Sequence, residues 1–224
     1  MMMNLFSVFD PSTSMIFSLN WMSSLYIMMF LPMMYWFIPS RWNYFYINIL
    51  ILLIMEFKVL MNHKMNIMNM IIYISMFIMI MLNNFMGLFP YIFTSSAHMS
   101  MSLVISLILW ISFMLFGWIK NTDHMFIHLV PQGTPGVLMS FMVLIESISN
   151  FIRPGTLAVR LSANMIAGHL LMTLISSTGT SLTMSLLMLM LLSQSLLIVL
   201  ELSVSIIQAY VFSVLSTLYS SEVS

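Results

Sequence analysis

The stretch Pro154-Gly155-Thr156-Leu157-Ala158-Val159-Arg160-Leu161-Ser162-Ala163-Asn164-Met165-Ile166-Ala167-Gly168-His169-Leu170-Leu171 reads as an apolar helix with one arginine in its middle. A charge at the centre of a membrane helix costs about 2.5–3.5 kcal/mol even on lenient insertion scales. Arginine cannot shed that charge, because its pKa lies above about 12. No acidic residue follows Arg160 until Glu201. A cation held on those terms is either half of a buried structural ion pair or a group kept for function.

The rest of the chain makes the setting plain. It has 224 residues, of which 61% are hydrophobic and 5% charged, whereas soluble domains carry about 25% charged residues. The expected fold is therefore all-α, a polytopic membrane protein forming a single membrane domain over residues 1–224. Net charge is zero, so the charge balance points to no nucleic-acid or acidic-surface partner. There is no cysteine, which removes disulfides, Cys-ligated clusters and thiol chemistry. Met1 to Pro11 holds neither Lys nor Arg and no small-residue cleavage site. It fits neither a secretory signal nor a transit peptide, so insertion is expected where the chain is made. Methionine occurs 29 times. It packs much like leucine, so the excess has no structural cause and points to an AU-rich genetic system such as a mitochondrial genome.

Apolar runs and their punctuation divide the chain. Residues 15–38 are expected as a first span, interrupted by Pro32 and ended by Pro39-Ser40-Arg41. Residues 43–62 carry Glu56 and Lys58, and that mixture predicts a helix lying along the interface. Residues 65–89 and 99–118 predict a hairpin of two spans, with a short polar loop at Tyr91–His98. Asn121 to Gly136 predicts a loop or re-entrant connection. The basic residues Arg41, Lys58, Lys64 and Lys120 then fall on one side, which should face the compartment of synthesis. The N-terminus is expected on the far side and the C-terminus on the near one.

Residues 137–176 and 181–220 are each 40 long, or about 60 Å as helix, against a hydrocarbon core of about 30 Å. They must tilt strongly. Pro154-Gly155 offers the first a bend, and Ser176 to Ser181 is the expected turn. The architecture is thus about five membrane helices plus one interfacial helix, the last two forming a long, strongly tilted antiparallel hairpin.

Polar lines run along both long helices. Glu146, Arg153 and Arg160 are seven apart, followed by Asn164 and Gly168. A heptad step drifts only about 20° on a helix, so these share a face. Ala163 and Ala167 let another helix approach closely. On the last helix Gln194, Glu201 and Gln208 are again seven apart, with Ser205 between. Interhelical hydrogen bonds, at about 0.6 kcal/mol per pair, explain Ser and Gln. They do not explain Glu146, Arg160, His169 and Glu201 together, and chains of Glu and His inside membranes mark proton paths. Simple antiparallel pairing about the turn sets Arg160 opposite Leu196–Leu197 rather than Gln208. Elsewhere the signals are weak. Asp123, His124 and His128 lack the glutamate of a zinc helix, and Gly133-Thr134-Pro135-Gly136 lacks the Gly-Lys-Ser/Thr of a phosphate loop. No metal, haem, other cofactor or directly bound ATP is expected.

The run Arg160 to His169 resembles the signature of the a subunits of F-type ATP synthases, in their mitochondrial form. Asn84-Phe85-Met86-Gly87-Leu88-Phe89-Pro90, Glu146-Ser147-Ile148-Ser149, Ile152-Arg153-Pro154 and Ile207-Gln208-Ala209-Tyr210-Val211-Phe212 are similar to further motifs of that family. The start, Asn4-Leu5-Phe6-Ser7-Val8-Phe9-Asp10-Pro11, resembles insect members. The resemblance implies the stator half of a proton motor in the mitochondrial inner membrane, multi-pass, with its N-terminus in the intermembrane space and its C-terminus in the matrix. It implies a ring of c subunits as partner, with other membrane and stalk subunits, lipid and protons, and nucleotide chemistry left to other subunits. Arg160 would be the essential arginine. His169 and Glu201 would belong to the intermembrane-space half-channel and Glu146 to the matrix half-channel, with Asn164 and Gln208 as polar neighbours of the arginine. Two other readings compete. A secondary transporter or ion channel would call for internal repeats, and none is visible. A purely structural subunit of a respiratory complex does not need Arg160.

Overall fold

A computed structural model describes residues 5–14, 17–33, 35–61, 69–89, 92–130, 135–179 and 182–223. The expected polar end Asn62-His63-Lys64, the start of the 65–89 span, and part of the Ser176–Ser181 turn lie outside them. The chain is an all-α polytopic membrane protein, and among the described residues five helices are long and apolar enough to cross a membrane. They are α2 (Arg41–Leu60), α3 (Met70–Gly87), α4 (Met99–Lys120), α6 (Gly136–Thr178) and α7 (Met184–Val223). Two short helices, α1 (Ser23–Tyr26) and α5 (Thr122–His128), complete the set. α5 occupies part of the stretch expected as a loop or re-entrant connection.

Four of the long helices, α3, α4, α6 and α7, fall on expected spans, and α2 falls on the stretch expected as an interfacial helix. Among the described residues of 15–38 there is no continuous helix. Short 3-10 turns at Leu19–Met22 and Ile27–Phe30 flank α1, and Leu31 turns extended. Tertiary docking accounts for the break. Trp21 packs on Phe93 and His98, and the Ser23 hydroxyl donates to the Phe93 carbonyl at 3.0 Å. The segment expected as an interfacial helix, 43–62, forms the helix α2, which also has the length and hydropathy of a span. Ser40 caps it, its hydroxyl accepting from the Asn43 N–H. Its buried Leu53 and Phe57 pack toward α3 and α7.

Lipid is as apolar as leucine, so burying apolar surface drives helix association weakly in a membrane and close packing matters more. α7 packs chiefly on α3, and α6 on α4, so each long helix leans on one arm of the hairpin. The α7 seam is made of small residues: Ser205, Ser213, Ser216, Thr217 and Ser220 are all buried. Each hydroxyl donates to the carbonyl three residues back on its own helix. The α3–α4 connection is buried too, through Thr94, Ser95, Ser96 and Ala97, and Ser95 donates to the Asn83 side chain at 3.1 Å.

Candidate functional site

α6 runs unbroken through Pro154 for 43 residues, and α7 for 40. At 1.5 Å per residue each is about 60 Å or longer, twice the hydrocarbon thickness. Their register differs from simple pairing about the turn. Gly168 lies against the Glu201 carboxyl so closely that a side chain there would collide with it. Arg160 shares a small crevice with Gln208, Val211 and Phe212. Arg160 therefore meets α7 roughly three turns beyond Leu196–Leu197. The helices are positioned by their supports, α4 and α3, and not by the connection alone.

Two cavities open toward opposite ends of this pair. The one nearer the α6–α7 connection has a volume of about 1180 Å³. Polar groups line it, among them Asp10, Ser12, Asn20, His169, Thr173 and Gln194. Asp10 accepts from the backbone N–H and the hydroxyl of Ser12, at 3.0 and 2.7 Å. Those bonds hold its pKa below the usual carboxylate value, so it stays ionised at neutral pH. On its wall the His169 Nε2 is buried without a hydrogen bond among the described residues, and so, on α7, is Glu201 Oε1. Gly168 and His169 are chain neighbours. The glycine meets Glu201 while the histidine faces the cavity.

The second cavity, about 380 Å³, lies near the C-terminal end of α7. Trp110, Phe113, Trp118, Phe151 and Tyr219 give it apolar walls, and Glu146, Arg153 and Glu222 give it charge. Arg153 pairs with Glu146 at 3.8 Å, hydrogen-bonds Glu222, and stacks its guanidinium 5.2 Å from the centre of the Tyr219 ring.

The polar line on α6 therefore splits. Glu146 and Arg153 turn into the second cavity. Arg160 and Asn164 stand exposed on an open face beside Ala163 and Ala167. The chain does contain a structural arginine ion pair, but one heptad earlier, at Arg153. Among the described residues Arg160 has no ion pair. Gln208 is buried beside it, with both amide atoms unbonded among the described residues. Asn164 shares the arginine's open face. His169 of α6 follows directly on Gly168, which meets Glu201 of α7, and no hydrogen bond joins His169 to Glu201 among the described residues. Glu222 did not emerge from the sequence reading, although the line Gln194, Glu201, Gln208 reaches it in two further steps of seven.

Long apolar helices that carry buried and cavity-facing charged side chains define a membrane protein whose polar residues call for a function within the membrane. Comparison with known proteins narrows that class. Residues 12–221 match the family described as ATP synthase A chain. The chain is 60% identical to ATP synthase subunit a of Locusta migratoria and 58% identical to that of Drosophila melanogaster, each over 224 residues and the whole of both chains. It is 58% identical to that of Aedes aegypti over 226 residues, again covering all of both. The chain belongs to the ATP synthase A chain family, a membrane-sector component of the synthase.

Proposed function

We propose that this chain is the stator subunit against which a ring of c subunits turns, supplying two aqueous half-channels and the arginine that keeps them apart. The observation that carries the reading is the pair of cavities approaching from opposite ends and stopping short of Arg160. Along α6, His169 is about 14 Å of helix rise from Arg160, and Arg153 about 10 Å on the other side. The open face at Arg160, with Ala163 and Ala167 beside it, suits a closely approaching helix. A ring carboxylate arriving there is favoured ionised by the adjacent cation, while in lipid it must be protonated. Protons would reach the ring by way of His169 and Glu201 and leave past Glu146, with Asn164 and Gln208 beside the arginine. Other synthase subunits, lipid and protons are its remaining partners, and it performs no nucleotide chemistry of its own.

In this reading the protein lies in the mitochondrial inner membrane, N-terminus in the intermembrane space and C-terminus in the matrix. The second cavity then opens to the matrix. Because the chain has no cysteine, Glu146→Cys supplies a single thiol. In the intact synthase it should react with a membrane-impermeant reagent applied from the matrix side and not from the other. Labelling from the intermembrane side alone would reverse the assignment.

The contact between Gly168 and Glu201 gives a second expectation. Gly168→Ala should displace the Glu201 carboxyl and slow proton-driven synthesis about tenfold, on the scale by which small misplacements impair chemistry. Gly155→Ala, where an added methyl meets nothing within 4 Å, should leave it unchanged. Equal rates for both variants, measured in vesicles with normal assembly, would refute a role for that contact.

A further inference from the structure

We infer that Phe9 is a positioning residue for proton uptake: its ring holds the His169 imidazole on the wall of the larger cavity. The inference rests on the reading of His169 as a proton carrier. The N-terminal 3-10 turn, Leu5–Phe9, packs on α6. Phe6 and Val8 of that turn are exposed, whereas Phe9 is half-buried. Its ring meets His169 edge-to-face, with centroids 6.1 Å apart and planes at 87°, a geometry aromatic rings favour. On another side stands Gly87, where an added methyl would sit 3.9 Å from Nε2. The imidazole makes no hydrogen bond through that nitrogen among the described residues, so packing has to orient it.

Phe9 is itself held in place. The Asp10 N–H donates to the Ser7 carbonyl at 3.3 Å, and the Asn20 side chain donates to the Asp10 carbonyl at 3.1 Å. The turn at Leu19–Met22 is joined in turn to the α3–α4 connection through Trp21 and Phe93. A chain of contacts thus ties the N-terminal turn to the hairpin and sets one ring against the histidine.

The test is a double-mutant cycle in the intact synthase, reconstituted in vesicles, with ATP synthesis driven by an imposed proton gradient. Phe9→Ala should lower the rate about tenfold, and Phe9→Tyr should restore it to within about twofold, since the ring is kept. His169→Ala should lower the rate, and adding Phe9→Ala to it should cost little more, because residues in contact are not additive. Full additivity, or an unaffected Phe9→Ala protein, overturns the inference while leaving His169 in its role. A normal rate in His169→Ala with a slow Phe9→Ala overturns both. A Phe9→Tyr protein as slow as Phe9→Ala overturns the ring-packing account.

Discussion

Replacing Arg160 with alanine should abolish coupled ATP synthesis while leaving the subunit assembled. The expectation follows from what the guanidinium touches. Among the described residues it has no ion pair, it stands exposed on α6, and its neighbours in the crevice are Leu157, Leu161, Gln208, Val211 and Phe212. Removing a cation from a buried pair typically costs about 3–5 kcal/mol, because an anion is stranded. Here no resident anion is stranded, so folding should survive. In the proposed role, what is lost is the charge that favours an ionised ring carboxylate and the barrier between the two cavities. Passive proton leak through the membrane sector should stay or rise as synthesis vanishes. Arg160→Lys should fail as well, though less completely. A desolvated lysine can lose its proton, and it lacks the planar fork that meets carboxylates. Leak and synthesis measured on the same vesicles decide the matter. Near-normal synthesis would remove Arg160 from the motor, and loss of the subunit from the complex would make it a structural residue.

Glu201→Gln is expected to have the next largest effect, slowing proton uptake by about a hundredfold, the lower range for losing a positioned proton-transfer group. Glutamine keeps the shape that fits against Gly168 and removes only the titratable proton. Glu201→Asp keeps the proton but withdraws the carboxyl by about one carbon–carbon bond, so it should retain a measurable fraction of the rate. ATP-driven pumping by the Glu201→Gln synthase at the wild-type rate across a range of pH would exclude the relay.

How far the sequence discloses these arrangements depends on the distance over which each is determined. The α3–α4 hairpin and the two long helices were legible because each is an unbroken apolar run, and hydropathy is a local property. The 15–38 stretch is just as apolar, yet what shapes its described residues is the docking of Trp21 and Ser23 onto the α3–α4 connection, which hydropathy does not register. α2 is expected in the interface because of Glu56 and Lys58. In the fold the Tyr210 hydroxyl donates to Glu56 Oε2 at 3.1 Å, giving one of those charges a partner on α7. The polar residues themselves could be picked out by spacing. Their grouping could not, since Arg160 comes beside Gln208 through a register that α3 and α4 impose. Glu222 was within reach, had the heptad line on α7 been followed past Leu215. Phe9 was not, because nothing in an apolar N-terminal turn announces a histidine 160 positions further along.

The serine- and threonine-lined seam of α7 has a mechanical consequence. Its hydroxyls are bonded within their own helix, and of these five Ser220 alone also reaches across, toward the Met61 sulfur at 3.8 Å, so little that is directional crosses the seam to stretch or swap partners. Resistance to sliding comes from the shapes of small groups in close contact, and close-packed interiors are barely compressible. In the proposed role a turning ring would push sideways on this chain. α7 is braced for such a load along its buried side by α3, as a rail is by its bed. Enlarging one of these residues should loosen the brace without touching a single charge.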